Sequence, residues 1–276
     1  MQLKDIYIKN IVQGCLVDCR ELFFKEIRAR FYKKNKNWLC AFCGETGSGK
    51  TYGAIELARN LNRRFDIEKH IVFTVEHFMT LLNSKTLKRG DIIIFEEAGV
   101  GMSSKEWYSQ SNKLFSYVLQ TFRHLGMGVI FTMPSLNLLD KTARTLLHHY
   151  FETFDIDFDK KIARVKVFLF QYNILMDKLY KKHPVYKDED GVEISLPMIG
   201  FEMPPTEMLE LYEEQKTNFT TTLNESIMTD LNAQKEAKKP KKGCIKCGSS
   251  DIRHSSKEKC WICKKCGHIH LSNPFD

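Results

Sequence analysis

The sequence predicts an α/β protein, with a mainly parallel sheet flanked by helices on both faces and a small metal-binding module after it. Two observations support this prediction. Short apolar runs alternate with segments of helical periodicity over residues 37–157, which is typical of strand–helix–strand units. Near the C-terminus, the motif C-x-K-C-G occurs at residues 244–248 and again at 263–267.

A glycine-rich loop, GETGSGKT at residues 44–51, follows the apolar run NWLCAF. Residues of helical spacing follow it, so the loop joins a strand to a helix, as the pattern G-x-x-x-x-G-K-[ST] requires. Backbone N–H groups of such a loop and the helix N-terminus bind the phosphates of a nucleotide. We expect Lys50 to reach the β- and γ-phosphates and Thr51 to bind Mg²⁺. The predicted nucleotide contacts are Gly44, Glu45, Thr46, Gly47, Ser48, Gly49, Lys50 and Thr51.

Two carboxylates end the second apolar run, in the stretch DIIIFEEAG. A buried parallel strand is apolar throughout, and ligands bind beyond the carboxyl ends of such strands. We expect Glu96 to support Mg²⁺ and Glu97 to orient or deprotonate the attacking water. Two solvated acids at a strand end are the alternative.

The remaining core elements follow in order. HIVFTV predicts a strand at 70–75, VEHFMTLLNSK a helix, residues 105–123 a helix, and GMGVIFTMP a strand at 126–134. Residues 137–156 predict a helix and then a strand, residues 158–200 a hairpin or added strands, and residues 202–219 a helix. Thr132, at a strand end, is a candidate sensor of the γ-phosphate or an ordinary strand-end threonine.

The motifs GETGSGKT, IIIFEEAG and TFRHLGMGVIFTMPS, in this order and spacing, resemble the FtsK/HerA superfamily of DNA-pumping ATPases. They are most similar to its branch named after the zonula occludens toxin domain, over about residues 37–157. The resemblance implies a RecA-like P-loop core and a ring, usually of six subunits, that translocates DNA. It also implies nucleotide and metal binding by Lys50 and Thr51, metal support by Glu96 and catalysis by Glu97. Asp is common in the family where this chain has Glu96.

Ring ATPases complete each site with an arginine from the neighbouring subunit, because a fixed positive charge stabilises the transferring phosphoryl group. Arg123 matches the family's arginine position, and Arg144 is a second candidate. A surface salt bridge is the alternative for each.

The four cysteines of the repeated motif predict a zinc ribbon. Cys244, Cys247, Cys263 and Cys266 have the C-x₂-C-x₁₅₋₂₀-C-x₂-C spacing of a tetrahedral zinc site. Four thiolates leave no open coordination position, so the zinc would be structural. Trp261 would pack beside the knuckle.

Five other cysteines have no assigned role. Cys260 also forms C-x₂-C with Cys263, so the register is formally ambiguous, although only 263/266 repeats C-x-K-C-G. Cys40 and Cys43 lie three apart in a predicted strand and face opposite sides, which favours buried thiols over a second metal site with Cys15 and Cys19.

The formal net charge of +8 is uneven: +5 over residues 1–37, −4 over 38–234 and +7 over 235–276. Two basic ends predict a polyanion partner such as nucleic acid, which the family resemblance makes DNA, and a solvated lysine-rich tail is the alternative. Residues 19–37 predict a basic helix whose charges line a DNA channel or a subunit contact; a helix packed on the core with a solvated basic face is the alternative. No apolar run reaches the ~20 residues of a membrane span and no secretory signal is evident, so we expect a cytoplasmic protein.

We expect a basic segment at 1–36, an ATPase domain at 37–228 with its core at about 37–157, a linker at 229–243 and the ribbon at 244–276. The first functional hypothesis is an ATP-hydrolysing, DNA-moving motor that acts as a ring oligomer with ATP, Mg²⁺ and Zn²⁺. The alternatives are a virion-assembly or secretion ATPase that acts on protein and a nucleotide-binding adaptor.

Overall fold

The structure is a computed structural model that describes residues 9–12, 15–96, 125–139, 141–187, 191–237 and 243–274. It divides into two compact units, Met1–Phe219 and Thr220–Asp276. In the described ranges, each helix is too short or too polar to cross a lipid bilayer. The predicted helix at 105–123 lies outside the described residues.

The first unit is built on a mixed sheet, in which five neighbouring strands are parallel. Their order is β7-β3-β6-β5-β4, so the strand before the glycine loop is central. This mostly parallel sheet is compatible with a P-loop NTPase fold. The five strands are β3 (Trp38–Cys43), β4 (Ile71–Val72), β5 (Ile92–Phe95), β6 (Gly128–Met133) and β7 (His149–Asp157).

Three antiparallel strands extend this sheet beyond β7. Strand β8 (Ile162–Asn173) pairs with β7 on one edge, and β9 (Lys178–Lys182) and β12 (Met198–Glu202) share its other edge. The added strands expected over 158–200 are therefore present. Two separate hairpins join β1 (Lys9–Val12) to β2 (Cys15–Asp18) and β10 (Val185–Lys187) to β11 (Glu193–Ser195).

The helices of the described residues are α1 (Cys19–Tyr32), α2 (Lys50–Leu61), α3 (Ile67–His70), α4 (Val75–Asn83), α5 (Lys141–Leu146) and α6 (Thr206–Ala237). The strand predicted over 70–75 is shorter in the structure. It stops at Val72 because Thr74 caps helix α4, its hydroxyl accepting a hydrogen bond from the His77 amide.

Both faces of the central sheet are buried. Along β3, alternate residues enter two different apolar clusters, with Phe42 in one and Ala41 in the other. This places Cys40 and Cys43 on opposite faces, as predicted from their spacing of three. The strand that leads into the glycine loop is therefore held firmly on both sides.

Helix α1 is part of this core. Phe23, Phe24, Ile27 and Phe31 are buried, and Phe23 packs edge-to-face on Trp38. Two of its basic side chains bind protein carbonyls, because Arg28 donates to Asn60 O and Arg30 to Asn37 O. The packing alternative for this helix is the one observed, and α1 does not form a separate segment as the 1–36 boundary implied.

Part of the segment predicted as a linker, 229–243, is helical. Helix α6 continues to Ala237, which takes in the first nine residues of that range. Its last residues, AQKEA, are polar but strong helix formers, so their polarity does not indicate a linker. In the second unit, β13 (Ile252–Ser255), β14 (Cys260–Cys263) and β15 (Ile269–His270) form a small antiparallel sheet.

Candidate functional site

The glycine-rich loop connects β3 to α2 and needs glycine at particular positions. Gly47 and Gly49 have φ of +77° and +80°, in the left-handed region that other residues avoid. Gly49 is the N-cap of α2, and among the described residues no side chain caps this helix and no acidic residue lies in its first turn. No described side chain therefore competes with an anion at the N-terminus of α2.

Strand β7 closes the underside of the loop. The Thr153 hydroxyl lies 2.8 Å from Ser48 Oγ and 3.3 Å from the Cys43 carbonyl oxygen. A Cβ on Gly44 would come within 1.7 Å of Thr153 Oγ1. Only glycine fits at the start of the loop while this threonine is in place.

An open cleft with a volume of about 320 Å³ lies over the loop. This size is at the lower end of the ~300–1,000 Å³ typical of small-molecule sites. Lys50, at the start of α2, lines the cleft and donates from Nζ to the Glu45 carbonyl oxygen at 2.6 Å. The lining includes Thr46, Gly47, Gly49, Lys50, Thr51, Tyr52, Ile156, Phe158, Tyr212, Glu213 and Lys216.

Glu96 follows β5 and is the buried acid of the site, with 1% of its surface exposed. Thr51 Oγ1 donates to Glu96 Oε1 at 2.7 Å, and Thr132 Oγ1 donates to Glu96 Oε2 at 2.7 Å. Strand β6 lies between β3 and β5, which explains how Thr132 comes beside this carboxylate. Thr132 is thus hydrogen-bonded to Glu96, and its role as a γ-phosphate sensor stays a prediction.

Helix α6 adds two residues that sequence analysis missed. Tyr212 Oη donates to Glu96 Oε1 at 2.8 Å, and Lys216 Nζ lies 3.7 Å from the same oxygen. Tyr212 and Lys216 lie more than a hundred positions after Glu96, and no local pattern marks them.

The helix is also held in place by a hydrogen bond of 3.1 Å from Tyr52 Oη to Glu213 and by stacking of Phe219 on Phe73.

Burial raises the pKa of the Glu96 carboxyl, and the hydrogen bonds from Thr51, Thr132 and Tyr212, with the nearby Lys216 charge, oppose the rise. The Thr51 hydroxyl and this carboxylate are hard oxygen donors in contact with each other beside the phosphate loop. Such a donor pair fits a Mg²⁺ ion that arrives with a nucleotide.

Other predicted catalytic residues are not brought to the cleft by the described structure. Glu97 and Arg123 lie outside the described residues. Arg144, on α5, donates from Nε to the Leu139 carbonyl oxygen at 2.9 Å and is absent from the described cleft lining.

The second unit contains a four-cysteine cluster. The Sγ atoms of Cys244, Cys247, Cys263 and Cys266 all lie within 4.8 Å of one another. Cys260 is outside this group, and its thiol instead points to Glu258 at 3.8 Å. The structure brings together the four thiols of the 263/266 register, and the set is consistent with a zinc ribbon.

Two equivalent turns hold the cysteine pairs. Gly248 N donates to Cys244 O at 2.7 Å, and Gly267 N donates to Cys263 O at 2.8 Å. Both glycines have φ of +71°, which explains the glycine in each C-x-K-C-G copy. The Trp261 ring packs 4.9 Å from His254, on the neighbouring strand.

The thiols of β3 are protonated core groups. Burial raises the pKa of Cys40 well above its usual value and that of Cys43 to about 12. The side chains of Cys15 and Cys19 are outside those that the structure describes.

Comparisons with known proteins give two partial similarities. No protein-family model matches the chain. An uncharacterized protein, B-251, of Sulfolobus spindle-shape virus 1 is 28% identical over 107 residues, which cover 34% of this chain and 42% of that protein. The match thus spans less than half of the viral protein. The N-terminal domain of zonular occludens toxin from Neisseria meningitidis aligns with a TM-score of 0.32 and 16% identity over 53% of this chain and 94% of that domain. Neither similarity assigns the chain to a family.

Proposed function

We propose that this protein is a Mg²⁺-dependent nucleoside triphosphatase, with ATP as its substrate. The observation that carries the proposal is the contact between Thr51 and Glu96, 45 residues apart in sequence and 2.7 Å apart in space. This pair lies beside an uncapped helix N-terminus and a loop with two left-handed glycines. A hydroxyl, a carboxylate and a helix N-terminus together form a site for a metal and a polyphosphate.

The chain's own residues have separate roles in this proposal. The amides of residues 44–51 hold the phosphates, and Lys50 turns from the Glu45 carbonyl to the β- and γ-phosphates. Thr51 and Glu96 hold Mg²⁺, which when bound neutralises charge on the phosphates. Glu97 orients the attacking water and takes its proton, and Arg123 or Arg144 of a neighbouring subunit stabilises the transferring phosphoryl group.

Nucleotide binding and hydrolysis test this proposal directly. The wild-type protein should hydrolyse ATP only with Mg²⁺, and Lys50→Ala should lose at least 100-fold in rate. Lys178→Ala is a matched control, because Lys178 is an exposed lysine on β9. Glu97→Gln should keep ATP binding and lose hydrolysis. Full activity in Lys50→Ala would exclude this loop as the site.

We further propose that hydrolysis drives the translocation or packaging of DNA by a ring oligomer. The support is the positive charge of both chain ends, +5 and +7, around an acidic centre, together with the motif resemblance described above. Long double-stranded DNA should stimulate ATP hydrolysis by the zinc-loaded protein, and the stimulation should weaken with salt. Light scattering should show an oligomer. A strictly monomeric protein whose hydrolysis is indifferent to DNA would overturn the motor proposal.

The second candidate is an ATPase of virion assembly or secretion that acts on protein. The similarity to a viral protein favours a task in a virus life cycle, which either candidate would serve. Hydrolysis without DNA stimulation, combined with copurification of capsid or envelope proteins, would favour this candidate. Binding without hydrolysis, and no effect of Glu97→Gln, would instead indicate a nucleotide-binding adaptor.

We propose that the cysteine cluster holds one structural zinc ion. Its four thiols would occupy every position of a tetrahedral ion, so the metal would stabilise the ribbon and take no part in hydrolysis. The ribbon would be a separate module that follows the ATPase domain and a short linker.

A further inference from the structure

A second, apolar cleft adjoins the phosphate cleft. It has a volume of about 120 Å³ and shares Gly49, Tyr52, Ile156 and Phe158 with the lining of the first. The shared wall runs from the end of the glycine loop to the end of β7. The two clefts are therefore continuous along this wall.

Carbon surface lines the second cleft. Ala163 and Phe201 form its floor from strands β8 and β12, and Phe158 stands at its edge with 80% of its surface exposed. Met203, at the far side, is 44% exposed. An aromatic ring left in solvent beside a phosphate site is suited to stacking on a flat ligand.

The backbone around this cleft is already paired. Met203 N donates to the Lys161 carbonyl oxygen at 2.9 Å, and Glu202 pairs with Ile162 in the β8–β12 ladder. The described walls thus offer flat apolar faces more than hydrogen-bond partners. Such a cleft can hold a ring without reading its polar edge.

We propose that the base of the bound nucleoside triphosphate lies in this apolar cleft against Phe158, and that the cleft accepts purines and pyrimidines alike. The inference rests on the proposed function, because the phosphates must lie on residues 44–51. Stacking depends on a π-face, which every base has, so affinity comes with little preference among bases. The site would then accept nucleoside triphosphates generally, with ATP as one of its substrates.

The test compares equilibrium binding of ATP, GTP, UTP and inorganic tripolyphosphate, each with Mg²⁺, to the zinc-loaded protein. ATP should bind about 5- to 150-fold more tightly than tripolyphosphate, and the three nucleotides should agree within about tenfold. Phe158→Ala should remove the advantage of ATP and leave tripolyphosphate binding unchanged. Phe158→Tyr should keep the advantage, because it keeps the ring.

Two controls separate this inference from the proposed function. Phe154→Ala removes an exposed ring on β7 itself, 55% exposed and absent from both cleft linings, and should bind like the wild type. Lys50→Ala should weaken nucleotides and tripolyphosphate together. If wild type binds neither, both proposals fail. Three results would overturn the base site and leave the phosphate site standing. Phe158→Ala could bind ATP as tightly as the wild type, or it could weaken the binding of ATP and of tripolyphosphate by the same factor. The wild type could also prefer one base by 100-fold.

Discussion

The phenol of Tyr212 and the hydroxyl of Thr51 donate to the same oxygen of Glu96, at 2.8 and 2.7 Å. Tyr212 comes from a helix 116 residues later than this acid, and it is itself only 1% exposed. Helix α6 therefore completes the surroundings of Glu96, and each donor lowers the cost of keeping a carboxylate buried.

Removing one of these donors should destabilise the nucleotide-free protein. Tyr212→Phe leaves its partner with one hydrogen bond fewer, which should lower the free energy of unfolding by about 1–3 kcal/mol. Urea titration of both proteins at pH 7 measures the difference. Tyr172→Phe, which loses an exposed hydrogen bond to Asp177, is the control and should change stability little. Equal stability of Tyr212→Phe and wild type would contradict the argument.

The raised pKa of Glu96 makes a pH-dependent contribution to stability. The folded state holds this proton more tightly than the unfolded chain, so the contribution is present at low pH. It is lost as pH rises above the ordinary glutamate value of 4.5 and through the raised folded pKa. Glu96→Gln lacks this loss. Its stability relative to wild type should therefore increase between pH 5 and 8, by about 1.4 kcal/mol for each unit of pKa elevation within this window.

Urea titrations without nucleotide or Mg²⁺ measure this change. Glu210→Gln replaces an exposed acid of helix α6 and is the control. Its free energy of unfolding should differ from that of the wild type by a constant amount over this pH range. A constant difference between Glu96→Gln and wild type at all pH values would show that Glu96 titrates normally.

His149 should make the protein sensitive to acid. Burial lowers the pKa of this imidazole to about 3, and its Nδ1 accepts a hydrogen bond of 2.9 Å from Trp38. Because the unfolded chain binds a proton near pH 6.5 and the folded state does not, stability is lost as pH falls below 6.5. His149 should contribute about 2 kcal/mol to the loss at pH 5 relative to pH 7, in addition to the loss from His148, whose pKa burial also lowers to about 3. His149→Gln keeps a hydrogen-bond acceptor, and its free energy of unfolding should fall by about 2 kcal/mol less than that of the wild type between pH 7 and pH 5. An identical fall in both proteins would show that His149 is not a source of the acid sensitivity.

Gly44 and Thr153 should be coupled. Gly44→Ala places a Cβ 1.7 Å from the threonine hydroxyl, so it should reduce stability by more than about 2 kcal/mol and weaken ATP binding. Gly47→Ala meets no atom within 4 Å and should cost only the ~1 kcal/mol of its left-handed backbone. Thr153→Ala should recover part of the Gly44→Ala loss in a double-mutant cycle. If the two changes in the free energy of unfolding simply add, the Cβ at position 44 does not clash with Thr153 in the variant protein.

The cysteine cluster should bind one zinc ion per chain, measured by elemental analysis of the purified protein. Cys247→Ser should lose the ion, because it removes one of four thiols that converge within 4.8 Å. Cys260→Ser should keep it, since this thiol is outside the cluster. Chelation should unfold the ribbon, seen as loss of dispersed amide signals from residues 243–274. Loss of zinc from Cys260→Ser alone would reverse the register.

Local chemistry made the loop and the ribbon predictable. Gly49, Lys50 and Thr51 lie in one short motif, and the two cysteine pairs repeat the same five-residue pattern. The neighbourhood of Glu96 was only partly predictable, because Tyr212 and Lys216 reach it through the path of a long helix that returns over the sheet. Helix α6 also extends further than its polar composition suggested, since helix propensity is independent of hydrophobicity.

Strand β3 has a consequence for how this protein can change over evolution. All six of its residues are buried, and it is paired on both edges, with β6 from Trp38 and with β7 from Cys40. One inserted residue would exchange its two faces or advance the glycine loop by about 3.3 Å along the sheet, away from Glu96. Substitutions that keep the side-chain volume can accumulate in this strand. Insertions and deletions cannot, because the length of the strand sets the position of the glycine loop.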